Sequence, residues 1–143
     1  HISKQLECLI GSTMKIYDKN NNLLAIIIRE KEIPDGRNFI TGDEEEMQLA
    51  SFNYKKETII DNHLHLEQKR NIQTTSEVIF LISGEIKAVI FDEDQNLIEE
   101  VLLLSCDTIA FLRGGHGLVV KKGSKFIESK QGPYIEAIDK IRF

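Results

Sequence analysis

Three of the four histidines in this chain are spaced so that they could bind one metal ion. His63 and His65 form an HxH pair, Glu77 stands seven residues before Gly84, and His116 follows two glycines. If the pair lies on a β-strand, both imidazoles leave from the same face of that strand. Imidazole mixed with carboxylate suits zinc, iron, nickel or manganese. The pattern therefore predicts a divalent metal site with four protein ligands: His63, His65, Glu77 and His116.

Two alternatives to this ligand set stay open. A histidine on a β-strand is more often a structural or surface residue than a ligand, so the HxH pair alone does not decide the question. Glu67 continues the face of His63 and His65 and could take the place of Glu77 as the carboxylate ligand. Four protein ligands would leave coordination positions open on a five- or six-coordinate ion, and a catalytic metal needs such a position.

Short strands separated by turns must position these residues. Alternation of apolar and polar residues, β-branched runs and turn-forming clusters recur along the chain, with almost no helical periodicity. Strands are predicted at 14–18, 23–29, 47–55, 57–66 (which carries the HxH pair), 77–91 as a hairpin about Gly84, 97–104, 108–112, 118–121 and 125–129, with a short one possible at 37–41. Only 134–141 has weak helical character. The fold class predicted is all-β: one antiparallel sandwich or barrel, without internal repeats.

Composition narrows the class of protein. A chain of 143 residues with 41% hydrophobic and 29% charged residues is an ordinary globular domain. The net charge of −5 argues against nucleic acid as a partner. No apolar run approaches the roughly 20 residues that a membrane helix needs. Two cysteines, Cys8 and Cys106, do not form a disulfide framework, which favours a reducing, cytoplasmic location.

The first residues differ from the rest. The chain begins with His1, and Gly11, Ser12 and Thr13 precede Met14. We expect residues 1–13 to be an added leader or a disordered N-terminus and residues 14–143 to be one β-barrel domain; native sequence from the first residue is the alternative. The hairpin 14–29 is the segment expected to mediate a homodimer, because an uncovered sheet edge would otherwise invite aggregation.

The histidine and glycine pattern resembles that of the cupin superfamily. His63 and His65 match the HxH of the first cupin motif, Glu77 its glutamate, and Gly84 the glycine that turns the hairpin. His116 matches the histidine of the second motif. The resemblance implies a jelly-roll β-barrel in which the three histidines and Glu77 bind a divalent metal. The gap of eleven residues between His65 and Glu77 exceeds the usual three or four, which places an extra loop at 67–76.

The last 80 residues resemble a narrower group, the small single-domain cupins associated with bacterial surface-polysaccharide biosynthesis. Arg70, the segments 75–78 and 114–117, and above all the run from Glu128 to Tyr134 carry this resemblance. It implies a small-molecule ligand related to sugars. Within the run, Tyr134 could cap the barrel mouth and offer its phenol to a ligand, while the alternative is a purely structural C-terminal latch.

Three functions fit these residues. An isomerase or epimerase acting on a sugar or nucleotide sugar would use a metal to polarise a carbonyl and a carboxylate to move a proton. An iron-dependent dioxygenase and a non-catalytic sugar-binding or regulatory cupin are the alternatives, so whether the protein is an enzyme stays open. The catalytic candidates are Glu67, Glu128, Lys130 and Tyr134. The candidates for substrate binding are Arg70 and Gln131.

Overall fold

A computed structural model describes residues 13–143, and nearly all of their regular structure is antiparallel β-sheet. A one-turn 3₁₀ helix spans Glu30–Glu32, and the short helix α1 spans Glu136–Asp139. The all-β prediction is confirmed at the level of class. The ten strands are β1 (Thr13–Tyr17), β2 (Leu23–Ile28), β3 (Gly36–Phe39), β4 (Ala50–Asn53), β5 (Glu77–Ser83), β6 (Glu85–Phe91), β7 (Leu97–Leu104), β8 (Thr108–Phe111), β9 (Gly115–Val120) and β10 (Lys125–Lys130).

The strands form three separate sheets. A five-stranded sheet has the order β1-β2-β8-β5-β10, a three-stranded sheet the order β7-β6-β9, and β3 pairs with β4. Every pairing is antiparallel. Strand β5 lies in the five-stranded sheet and β6 in the three-stranded one, with only Gly84 between them. The chain therefore changes sheets at this glycine, whose φ of 104° an L side chain rarely adopts.

The main core lies between the five-stranded and three-stranded sheets. Alternate residues of β5, β8 and β6, among them Ile79, Ile109 and Ile86, point into this space and are fully buried. Strand β2 is buried on both faces, since Ile26 belongs to a second cluster in which residues of the 33–49 segment pack on the opposite side of the five-stranded sheet. Its uninterrupted apolar run, Leu23–Ile28, is what such a two-sided position requires.

Two hairpins of the fold use the same turn. In β1–β2 the carboxylate of Asp18 accepts hydrogen bonds from the backbone of Asn20 and from Asn22; in β6–β7 Asp92 does the same with Asp94 and Asn96. Both aspartates are buried, and these hydrogen bonds lower the pKa of each carboxyl. Although no internal repeat was predicted, the turn Asp-x-x-x-Asn therefore occurs twice with one geometry.

The largest local difference from the predicted strands lies between β4 and β5. Residues 54–76 form no strand, so the prediction of a strand at 57–66 is wrong. The period-two pattern of this segment is present, but among the described residues no neighbouring strand pairs with it. We call residues 57–71 the arm, and every residue in it is exposed.

The two ends of the chain concern the predicted leader at residues 1–13 and the weak helical signal at 134–141. The predicted leader lies almost wholly outside the described residues, and Thr13, at its end, is the first residue of β1. The weak helical signal at 134–141 corresponds to the one-turn helix α1. In residues 13–143 we find no helix whose length and apolar character would let it cross a membrane.

Candidate functional site

Glu77 lies at the mouth of the space between the two main sheets. It is the first residue of β5 and shares an inward face with the buried residues Ile79 and Leu81. In the two neighbouring strands, Phe111 of β8 and Lys130 of β10 stand directly opposite Glu77. Its side chain is only 12% exposed, so it lies at the end of the core rather than on the outer surface.

His116 reaches Glu77 from the other sheet. On β9 it pairs with the buried Ile90 of β6, which points its imidazole inward. The ring stacks on Phe111 with a centroid distance of 3.8 Å and an interplanar angle of 8°. Its Nε2 atom lies 3.4 Å from Oε1 of Glu77. The contact joins the two sheets through one imidazole and one carboxyl.

Glu128 completes a group of three that we call the acid–base cluster: Glu77, His116 and Glu128. On β10 it pairs with Ile79 and therefore faces the same side of the sheet as Glu77. The hydrogen bond with His116, followed by one with Glu128, lowers the pKa of Glu77. The hydrogen bond with Glu77, aided by burial, raises the pKa of Glu128. The contacts therefore favour the charged form at Glu77 and the protonated form at Glu128.

The C-terminal segment packs against this cluster. Lys130 lies with Nζ 3.5 Å from Oδ2 of Asp139 and 5.0 Å from the ring centroid of Tyr134. Asp139 was not among the site candidates from the sequence, although the pair Asp139-Lys140 is part of the resemblance of the last 80 residues to the small cupins. Phe143 packs edge-on against Phe91, with ring centroids 5.0 Å apart. The segment thus brings an ammonium group and a phenol to the edge of the site.

Half of the sequence-predicted site residues therefore belong to one region, four lie on the arm, and Gln131 lies next to the region. Glu77, His116, Glu128, Lys130 and Tyr134 form that region. His63 and His65 lie on the exposed arm with ring centroids 5.3 Å apart, and Glu67 and Arg70 follow them there. Gln131 donates its backbone N–H to the carbonyl of Ser76 at 3.0 Å, and its side-chain amide donates to the carbonyl of Gly132.

The predicted metal ligands are separated accordingly. Glu77 and His116 contact each other, whereas the HxH pair does not join them within one chain. Among residues 13–143 no three side chains of His, Cys, Asp or Glu are grouped as ligands for a metal ion. The donor set of a single chain therefore does not match the four-ligand site predicted, and we derive no chemical step through a metal. Metal binding itself stays a prediction.

Comparison with known proteins locates one similarity. Residues 35–103 match the family model described as Domain of unknown function (DUF6016). The match is just under half of the chain and includes the arm, β5 and β6, but it ends before His116 and Glu128. Neither the curated proteins nor the solved structures contain a match to this chain.

The paired carboxyls yield a direct test of the cluster. In a Glu77→Gln variant we expect the pKa of Glu128 to fall toward its ordinary range, because the neighbouring carboxylate that favours its protonated form is gone. NMR titration of the glutamate carboxyl carbons measures this shift. Glu99→Gln, an exposed change on β7, is the control and should leave the titration of Glu128 unchanged. An unaltered Glu128 titration in Glu77→Gln would show that the two carboxyls do not interact.

Proposed function

We propose that this protein is an acid–base isomerase or epimerase that acts on a sugar or nucleotide sugar. The observation that carries the proposal is the meeting of two carboxyls and one imidazole at the mouth between the sheets, where their contacts lower the pKa of Glu77 and raise the pKa of Glu128. Such divergence separates a base from an acid within one site. His116 holds the base through a contact across the two sheets.

In the proposed reaction one carboxyl acts as the general base and the other as the general acid. Glu77, as the carboxylate, removes a proton from the carbon next to a substrate carbonyl, and the electron pair moves toward the carbonyl oxygen. Glu128, as the acid, donates its proton to that oxygen, so the intermediate is a neutral enediol rather than an enediolate. Isomerisation is completed when Glu77 returns its proton to the neighbouring carbon and Glu128 removes the hydroxyl proton of the enediol at the other carbon. Epimerisation is completed when a solvent proton adds to the opposite face of the same carbon, Glu128 takes back the hydroxyl proton and Glu77 releases its proton to solvent. The Lys130 ammonium lies beside the pair and favours negative charge there.

The proposal that the substrate is a sugar has separate support. It comes from the resemblance of the run from Glu128 to Tyr134 to cupins of surface-polysaccharide biosynthesis, and this run contributes Glu128 and Lys130 beside Glu77. We also propose that the two facing sheets belong to a cupin-type jelly roll, since Glu77 and His116 meet inside them as that resemblance implies. The oxygenase alternative and the cytoplasmic location stay untested predictions.

A non-catalytic sugar-binding role is the second candidate, favoured by one surface feature. An exposed aromatic row consists of Phe39 on β3, Phe52 on β4 and Tyr54 just after β4, with successive ring centroids 6.2 Å apart. Exposed aromatic faces can contact the apolar faces of sugar rings. The row is separate from the acid–base cluster, so a binding module would not need Glu77 or Glu128.

Exchange with solvent deuterium tests the proposed function. The protein is incubated in D₂O with a panel of aldoses, ketoses and nucleotide-linked keto sugars, and loss of carbon-bound proton signals is followed by NMR. We expect exchange at the carbon next to the carbonyl of at least one member. Binding of a sugar without any exchange, with affinity reduced by Phe52→Ala but not by Glu77→Gln, would support the binding module and overturn the enzyme proposal.

A further inference from the structure

The arm is unusual in a folded chain because it exposes large apolar side chains along an extended segment. Four of them are more than half exposed, and three reach about the exposure of an open chain: Ile59 84%, Ile60 58%, Leu64 79% and Leu66 80%. A cluster of exposed apolar residues of this kind marks an interaction surface.

Both ends of the arm are tied to the body of the protein. Just after the C-terminal end of the arm, the carboxylate of Glu46 accepts hydrogen bonds from the backbone of Gln73 and from the backbone and side chain of Thr74, at 2.6–3.2 Å. These bonds lower the pKa of Glu46, which keeps it ionised as an anchor. Just before the N-terminal end of the arm, Nζ of Lys55 lies 3.5 Å from Oδ1 of Asp35. Glu46 therefore fixes one end of the arm to the body, while the exposed Lys55–Asp35 pair holds the other end only weakly.

Within the arm, side chains alternate in character. His63 and His65 are separated by Leu64, and Leu66 follows, so a strand through these residues carries imidazoles on one face and leucines on the other. Such a strand fits a position where one sheet face is polar and the other apolar. The C-terminal end of the arm also carries Lys69 and Arg70, which suits an acidic neighbour.

Within residues 13–143, strand β10 has an unpaired edge to which such a strand could add. Like the arm, it has one polar face and one apolar face. Of the described strands only β5 pairs with it, so its other edge is available. Its inward face carries Glu128 beside Glu77, while its outward face carries Ile127, 59% exposed, beside the exposed Phe80 of β5. An arm strand added to this edge with its imidazoles inward would place its leucines next to Ile127. Polar residues would then meet polar ones and apolar would meet apolar on both faces.

The arm of the same chain leaves the site in another direction. Glu77 opens β5 opposite Lys130, the last residue of β10, and Gln131 bonds to Ser76 just beyond. The chain before Ser76 therefore runs past the end of β10 and not along its open edge, and residues 57–71 remain exposed. A second copy can present its arm to β10 without this constraint. In a two-fold dimer each copy would both give and receive an arm, so neither edge stays open.

We propose that the arm of one copy adds as a strand to the β10 edge of a second copy, where His63 and His65 complete the acid–base cluster. The proposal names the partner of the site described above and rests on the proposed function only for the role of the two imidazoles. Each site would then be built from two chains.

Cysteine cross-linking tests this arrangement without measuring activity. In a background with Cys8 and Cys106 replaced by serine, His65→Cys protein is mixed with Glu128→Cys protein and oxidised. We expect a covalent dimer on a non-reducing gel. His65→Cys mixed with Glu99→Cys is the matched control and should give no dimer, since Glu99 lies on β7. A protein carrying both His65→Cys and Glu128→Cys that closes within one chain and stays monomeric on the gel would overturn the proposal, as would failure of the mixture to exceed the control.

A second measurement uses the apolar face of the arm. Light scattering after gel filtration should show a dimer for the unmodified protein and at least a tenfold weaker dimer for Leu64→Ser/Leu66→Ser. Leu97→Ser, which removes an exposed leucine from β7, should leave the dimer unchanged. A monomer at every concentration, or a dimer unaffected by the arm changes, would contradict the exchange. Intact cross-linking with no deuterium exchange on any sugar would instead contradict only the proposed function.

Discussion

Replacing Glu77 with glutamine is expected to lower the rate of solvent-deuterium exchange on the responsive sugar by about 10²–10⁴-fold, the usual contribution of a positioned general base. Glutamine keeps the size of the side chain and can still bond to Glu128, but it cannot accept a proton from carbon. The hydrogen bond with His116, which lowers the pKa of Glu77, keeps this residue in the form that can. The loss should therefore fall on kcat, with KM changed little.

The pH profile separates this role from a structural one. Below the depressed pKa of Glu77 the base is protonated and exchange should fade; above the raised pKa of Glu128 the acid is lost, and exchange should fade again. Glu128→Gln should abolish the decline on the alkaline side while leaving the one on the acid side. Glu99→Gln is the control for adding an amide elsewhere. Equal rates in Glu77→Gln and the unmodified protein would remove Glu77 from the chemistry.

Much of the fold follows from local patterns in the sequence. The run Leu23–Ile28 predicts a strand from its β-branched and apolar residues, and alternation about Gly84 predicts β5 and β6 on either side of a turn. Both are confirmed because such signals act between neighbours in sequence. The turn at Asp92 is local in the same way, since its hydrogen bonds lie within five residues.

The arm shows what local sequence patterns do not determine, namely whether a strand finds a partner. Alternation at 57–66 tells which side chains would share a face, but a strand also needs a partner, and pairing depends on residues far away in sequence. The position of Glu128 depended on pairing in the same way. The register of β10 on β5 places it opposite Ile79, on the inward face. The cluster of Glu77, His116 and Glu128 is therefore a product of register, which spacing along the chain does not specify.

Replacing Phe111 with alanine is expected to lower the free energy of unfolding by about 3–5 kcal/mol, as for other large-to-small changes at buried aromatic positions. Phe111 is only 3% exposed and belongs to the main core between the sheets. The removed ring would leave a cavity that the surrounding strands could fill only in part. Denaturant unfolding measures the loss, and Phe39→Ala is the control: that ring is 76% exposed, so its removal should change stability little.

The same ring has a second effect that stability alone does not report. Its face supports the imidazole of His116 at 3.8 Å, and His116 in turn holds Glu77. Phe111→Leu keeps most of the buried volume but removes the aromatic face, so it should cost less stability than the alanine variant while still changing the NMR shifts of His116. A smaller stability loss in Phe111→Leu with unaltered His116 shifts would mean that the phenyl ring only fills space. Altered shifts together with a raised pKa of Glu77 would show that the core strand β8 positions the base through its neighbour.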